Sequence, residues 1–390
     1  MGGLWPSASI KAYEKEDEVM KKILAGVLLS ILLSAGFAFA ADTIKIGGFL
    51  PMTGAVAAYG QDANNGIKIV MEMKPAVLGK KVEFVVADTK SDKIEAANAM
   101  SRLIEKDKVI AVIGEMISGN TMAGAPIAEK AKIPVVSPTA TNPLVTQGKK
   151  YTFRVCFIDP VQGDIAAKYT VNNLKAKKAA LIVDKSQDYC VGLAKFFKDA
   201  FTKLGGQVVA ETFCVTEDKD FSAQLSTIKA ANPDIIYAPN YYSPVALFTK
   251  QARELGVKAQ VLTGDGAQAD ELIQIGGKEV EGVSLTGHFH VKAATTQLAK
   301  DFIPRFQKKY NSEPSAFHAL GADAYFVLLD AITRSKSTKG EAIRASLATT
   351  KNFEAISGKL SIGEDGNAVK PMVINIVKGG KFEYLTTINP

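Results

Sequence analysis

Two short stretches combine residue types suited to holding a charged small molecule. "VIGEMISGNT" (Val112 to Thr121) runs from an apolar strand into Ser118, Gly119, Asn120 and Thr121. "VVSPTATNP" (Val135 to Pro143) ends in the same way on Thr139, Ala140 and Thr141. A strand that opens directly into a helix presents free backbone N–H groups and the positive end of the helix dipole, which suits an anion. Further along, Tyr189 in "DKSQDYC", Tyr241 and Tyr242 in "YAPNYYSP", and Asp265 in "LTGDGAQAD" bring aromatic rings and a carboxylate to the ends of other apolar runs. Set face to face, the hydroxyl and N–H donors would take a carboxylate. Asp265 and carbonyl oxygens would take an ammonium, and the rings would cover an aliphatic remainder. A zwitterionic amino acid requires that combination. Taken singly, each residue also fits a plainer role: Ser118, Asn120 and Thr121 as helix caps, Thr139 and Thr141 as turn residues before Pro143, Asp265 as a turn residue between two glycines.

The remaining chemistry is sparse. The chain carries no G-x-S-x-G elbow, P-loop or H-E-x-x-H motif, so neither catalysis nor a cofactor is expected. His288 and His290, in "GHFH", fall where the chain should cross between domains, and packing there is expected rather than a metal site. Of three cysteines, Cys190 opens a predicted helix and Cys214 ends the following strand. Ends of a βαβ unit can be neighbours, so a Cys190–Cys214 bridge is expected, with Cys156 buried and free.

The elements that must position these residues alternate regularly. "TIKIGGFLP", "KVEFVVAD", "VIAVIGE" and "IPVVSPT" are separated by helical patterns, and the alternation restarts with "KAALIVD", "QVVAETFCV", "DIIYAPN" and "AQVLTGD". Short Val- and Ile-rich runs separated by helices indicate parallel sheets covered on both faces. The two series join near "FRVCFIDP"; a third block begins at His290 and closes with short strands. The predicted architecture is therefore α/β, with two doubly wound parallel-sheet lobes and a chain that crosses between them several times. Ahead of this, "MKKILAGVLLSILLSAGFAFA" has the charged start, apolar stretch and A-x-A end of an export signal. Translation is expected to start at Met20 and cleavage to follow Ala40, which places the mature chain outside the cytoplasm, in the periplasm. The net charge of +7 is spread over singly placed lysines and does not indicate a nucleic-acid partner.

Over nearly its whole mature length the chain resembles the branched-chain amino-acid-binding proteins of ABC importers, the leucine/isoleucine/valine type. The stretches that carry the likeness include "IKIGGFLPMTGAVAAYGQDANNGIKI", "VIGEMISGNTMAGAPIAEKAKIPVVSPTATNP", "YTFRVCFIDPVQGDIAAKY", "QDYCVGLAKFF" and "PSAFHALGADAYFVLLDAI", in that order. The resemblance implies a type I periplasmic-binding fold with a three-stranded hinge. Its lobes would be 41–158 plus 290–366 and 159–289 plus 367–390, in a monomer that closes on a free amino acid and delivers it to a membrane permease. It further implies that Ser118 and the backbone of Thr141 hold the ligand carboxylate. The Thr139 carbonyl, the Thr141 hydroxyl and Asp265 would hold the ammonium, with Tyr59, Met116, Ala140, Tyr189, Tyr241 and Phe317 shaping the side-chain pocket. Asp265 stands where the best-known relative has a longer glutamate, and Met116-Ile117 replace a leucine–cysteine pair. Side-chain preference therefore stays open, and another solute (an aromatic or polar amino acid, an amide, urea, an aromatic acid) or a sensor role for a membrane receptor are the alternatives.

Overall fold

The computed structural model describes residues 43–389 together with Glu18, Met20 and Lys21. The expected export signal lies outside the described residues. Strand β1 (Ile44–Leu50) leads through helix α1 (Ala57–Met73) to the short β2 (Ala76–Val77) and β3 (Lys80–Asp88). There follow α2 (Lys93–Glu105), β4 (Ala111–Gly114), α3 (Ser118–Ala131), β5 (Val135–Ser137) and β6 (Thr152–Arg154). These strands form one sheet in the order β2-β3-β1-β4-β5-β6, parallel except for the β2–β3 hairpin.

The second series runs α4 (Asp159–Asn172), β7 (Lys178–Asp184), α5 (Asp188–Lys203), β8 (Gln207–Cys214), α6 (Ser222–Ala231) and β9 (Ile235–Ala238). It continues with α7 (Tyr242–Glu254), β10 (Gln260–Thr263), α8 (Asp270–Gly276) and β11 (Ser284–Gly287). The chain then returns to the first sheet with α9 (Gln297–Tyr310), α10 (Ala316–Ser335), α11 (Gly340–Leu347) and a small antiparallel sheet of β12 (Phe353–Ala355), β13 (Gly358–Ile362) and β14 (Ala368–Val369). Finally β15 (Met372–Lys378) and β16 (Lys381–Ile388) join the second sheet antiparallel, giving the order β16-β15-β11-β10-β9-β7-β8. The chain thus passes between the two sheets three times: at Val155–Ile158, at His288–His290 and at Lys370–Pro371.

The apolar runs sit where their composition requires. Every residue of β4 (AVIG) and of β9 (IIYA) is buried, as expected for central parallel strands with helices on both faces. Helix α10 is apolar all round and long enough to cross a membrane, but it is the core helix of the first unit, packed on α1 and buried along most of its length. Two glycines allow that approach: a Cβ on Gly66 would lie 2.0 Å from the His318 carbonyl oxygen, and one on Gly321 would lie 2.7 Å from that of Ala63.

Both sheets reverse their strand order. In the first, β1 has β3 on one side and β4 on the other; in the second, β7 has β8 and β9. Ligand crevices in open α/β sheets form at the carboxyl ends of strands beside such switch points. All the residues singled out in the sequence come from those ends, or from the helices that follow them, except Phe317 on α10.

Candidate functional site

The carboxyl ends of the two sheets face each other across one small cavity. The first-sheet side contributes Tyr59, Met116, Ser118, Thr139 and Phe317; the second-sheet side contributes Tyr189, Tyr241, Asp265 and Gly266. Eight of the ten expected residues therefore line one cavity. Ala140 and Thr141 do not line it; both are fully buried immediately behind Thr139.

On the first side the wall is backbone held by side chains. Helix α3 begins at Ser118, but its N-cap is Ile117 and no side chain caps it. The Ser118 hydroxyl instead accepts the Asn142 N–H at 3.2 Å, so capping is not its role. Asn120 and Thr121 turn inward: Asn120 donates to Glu115 Oε1 (3.3 Å), and Thr121 to the carbonyl of Ile117 (2.8 Å). Glu115 is fully buried, which pushes its carboxyl up to about 7 against the pull of donors from Thr89 and Ile117. Thr139 donates to the Met116 carbonyl (2.8 Å) and so ties the two opening stretches together.

The loop of Ala140, Thr141 and Asn142 is held from behind by Arg154, a guanidinium with no exposed surface. It donates to the carbonyls of Ala140 (2.6 Å) and Asn142 (2.9 Å) and to the Thr146 hydroxyl (3.2 Å). The sequence reading missed Arg154; its one signal is a charge inside the apolar strand "YTFRVCF". Among the described residues the buried Tyr241 phenol has no hydrogen-bond partner; the buried Thr141 hydroxyl has none in good geometry and lies beside the Asp159 carboxyl.

On the second side everything converges on Asp265, 3% exposed. Its Oδ1 accepts from the Tyr189 hydroxyl (2.9 Å) and from Gln162 Nε2 (2.8 Å); its Oδ2 lies 2.9 Å from His288 Nε2. Gln162 also reaches the Thr286 hydroxyl (2.8 Å). Gly264 makes room for this, since a Cβ there would lie 2.3 Å from the Tyr189 hydroxyl oxygen. Gln162 and His288 were not among the expected site residues. His288 does pack at the crossovers, stacked on Phe157 at 3.8 Å, and it is also a direct partner of the carboxylate. His290 bonds the Phe382 carbonyl (3.1 Å), and among the described residues no group of three His, Cys, Asp or Glu is placed to hold a metal.

Aromatic rings fill the rest. Tyr189 and Tyr241 stack at 5.5 Å, Tyr59 lies over Phe317 at 4.2 Å, and Tyr59 meets Tyr241 edge-on at 5.8 Å. Burial raises the phenols of Tyr59, Tyr189 and Tyr241 well above their ordinary value, so all three remain neutral donors. Four contacts bridge the two sides directly. Tyr59 donates to the Gly266 carbonyl, Tyr242 to Ala55 (3.2 Å), Asn142 to the Asp188 carbonyl (2.9 Å), and Lys93 pairs with Asp188 (2.7 Å).

The expected Cys190–Cys214 bridge is not formed; both are free thiols. Cys190 is buried in the first turn of α5, and Cys214 closes the edge strand β8, where its carbonyl takes the Lys185 N–H (3.0 Å). Adjacent chain ends do not suffice for a disulfide, whose Cβ atoms must also converge within a narrow range. Burial raises both thiols, Cys214 to about 12, so neither is a ready thiolate. Cys156 is buried and free, as expected.

Comparison with known proteins places this geometry. A profile described as periplasmic binding protein matches residues 43–381. The chain belongs to the periplasmic binding protein family. Within the family it is 31% identical over 356 residues to Leu/Ile/Val-binding protein homolog 3 of Brucella melitensis, covering 90% of this chain and 95% of the relative. Among solved structures it superposes on the leucine-binding protein LivK of Thermotoga maritima with a TM-score of 0.88 and 51% identity, over 89% of this chain and 99% of that one. It also matches LivJ of Streptococcus pneumoniae, solved in complex with isoleucine, with a TM-score of 0.85 and 33% identity, over 90% and 100% of the two chains. The type I periplasmic-binding fold follows: two lobes, each built on one of the sheets, joined by the three crossovers. Membership of this solute-binding family implies an extracytoplasmic location and a role in ligand capture.

Proposed function

We propose that this periplasmic binding protein captures a free branched-chain or similarly hydrophobic amino acid between its lobes and hands it to the permease of an ABC importer. The supporting observation is the placement of opposite chemistries on opposite walls of one small cavity. The uncapped start of α3 with Ser118 faces Asp265, and between them lie Met116 and four aromatic rings. Free N–H groups and a hydroxyl suit a carboxylate, and a desolvated carboxylate suits an ammonium. The Tyr241 phenol, which lines the cavity without a partner among the described residues, is a further group a ligand would use. The relatives' names, Leu/Ile/Val-binding protein and leucine-binding protein, point to the same ligand class.

In this reading Ser118, Thr139 and Thr141 hold the carboxylate and part of the ammonium, and Asp265 completes the ammonium site. Tyr59, Met116, Ala140, Tyr189, Tyr241 and Phe317 set the side-chain pocket. The lobes are 41–158 plus 290–366 and 159–289 plus 367–390, except that β14 pairs with β13 of the first lobe and moves the third boundary to Lys370–Pro371; the protein works as an exported monomer without turnover. The side chains lining the cavity are almost wholly buried, so the lobes open about the crossovers to admit a ligand. Ligand then stabilises the closed arrangement by binding it more tightly than the open one. Isothermal calorimetry tests the charge requirement: leucine binds, whereas leucinamide and 3-methylbutylamine, each lacking the carboxylate, do not. Equal binding of all three would remove the zwitterion from the explanation.

A further inference from the structure

The Asp265 carboxylate is not held by its own loop alone. Gln162, in the first turn of the helix after the first crossover, and His288, in the second crossover, both bond it. The His288 ring stacks on Phe157 of the first crossover at 3.8 Å with 25° between the planes. Its own carbonyl accepts the Lys370 ammonium of the third crossover at 3.1 Å. Lys370 also donates to the Ser357 hydroxyl (2.7 Å), and the Ser357 N–H donates to Asp323 on α10 (3.1 Å), the helix that carries Phe317 into the cavity. One residue therefore touches the acid of the site and all three strands of the hinge.

We propose that His288 is the positioning residue of the ammonium site: its Nε2–H fixes the Asp265 carboxylate and couples that carboxylate to the three crossovers about which the lobes close. The proposal rests on the amino-acid reading of the cavity. His288 Nε2 faces a carboxylate oxygen, which accepts, and Nδ1 has no partner among the described residues, so the ring's proton is assigned to Nε2. Burial holds the ring below the ordinary histidine range against the opposing pull of Asp265, which keeps it neutral; a neutral donor orients the carboxylate without cancelling the charge the ligand needs. The alternative is that His288 serves only as a packing plate for Phe157.

Two variants and one spectrum separate these roles. In calorimetry at pH 7, His288→Leu should bind leucine about tenfold or more weakly, because a hydrogen bond to a buried charge is lost. His288→Gln, which keeps an N–H donor but loses the aromatic stack, should recover most of the affinity. In wild-type protein labelled with ¹⁵N-histidine (the chain has three histidines), His288 should show a slowly exchanging Nε2–H resonance that moves when leucine is added. Leucine binding by wild type with undiminished affinity in His288→Leu, or equal weakening in both variants, overturns the positioning role and leaves the function standing. A proton found on Nδ1 instead of Nε2 overturns it even where a variant fails to fold. Wild-type protein that binds no amino acid overturns the function and this proposal with it.

Discussion

Tyr59→Phe isolates the closure of the lobes. The substitution removes one oxygen atom and leaves the ring packed on Phe317 and against Tyr241 and Tyr242, so no cavity opens in the core. What disappears is the bond from the Tyr59 hydroxyl to the Gly266 carbonyl, which joins the first lobe to the second. With the cleft open, water solvates both groups, and phenylalanine costs nothing there. In the closed arrangement the Gly266 carbonyl stays buried without its donor, at a cost of about 1–3 kcal/mol. Since ligand binding draws on the closed state, leucine should bind about 5- to 150-fold more weakly at 1.4 kcal/mol per decade. Calorimetry measures the affinity, and urea unfolding without ligand, where the open cleft leaves both groups to water, should move by less than the loss in binding. Affinity unchanged within twofold would mean that this bond does not distinguish closed from open, and the closure argument would fail.

Thr141→Ala removes a buried hydroxyl with no well-formed partner among the described residues; leucine affinity should fall about tenfold if that hydroxyl turns from Asp159 to the ligand. Unchanged affinity in calorimetry would return the 139–142 loop to a purely structural role. Asp159 is fully buried, and burial pushes its carboxyl up to about 8, with neither oxygen hydrogen-bonded in good geometry. Its folded value is above its unfolded one, so the folded state holds the proton more tightly. That contribution is complete below about pH 4 and is lost as pH rises from about 4 to 8, by at most about 1.4 kcal/mol per unit. Asp159→Asn should therefore be more stable than wild type at pH 8 and lose that advantage near pH 4; urea unfolding at the two pH values checks the sign.

Much of this was legible in the sequence because parallel strands buried on both faces are spelled as continuous apolar runs, and ligands sit where such runs end. "AVIG" and "IIYA" named β4 and β9, and the small polar tips beyond "AVIG" and "VVS" named one wall. The capping ambiguity at Ser118 was decided only by the backbone: Ile117 takes the cap position, and the hydroxyl is free to bond Asn142. Arg154, Gln162 and His288 were not legible as site residues. Arg154 reaches back over a loop of its own lobe, whereas Gln162 meets Asp265 over 103 residues of sequence and His288 meets it over 23, so no local pattern announces those pairs. Cys190 and Cys214 show the opposite failure, in which nearness of chain ends was readable but side-chain direction was not.

The shorter acid at position 265 acquires a meaning from its partners. An ionised carboxylate has about four lone-pair positions. Tyr189 and Gln162 occupy two on Oδ1, and His288 one on Oδ2. One position on Oδ2 is left for a ligand, so on the proposed reading an ammonium with three protons finds its other acceptors on the facing wall, which Ser118 and Thr139 line. A longer acid would carry its oxygens past Gln162 and His288 and lose the donors that fix it. On the proposed reading the recessed aspartate trades reach for rigidity, and the ammonium is the group that draws the two lobes together. On this account the amino group and the Tyr59–Gly266 bond favour closure, whereas Met116 and Phe317 bear only on which side chain is enclosed.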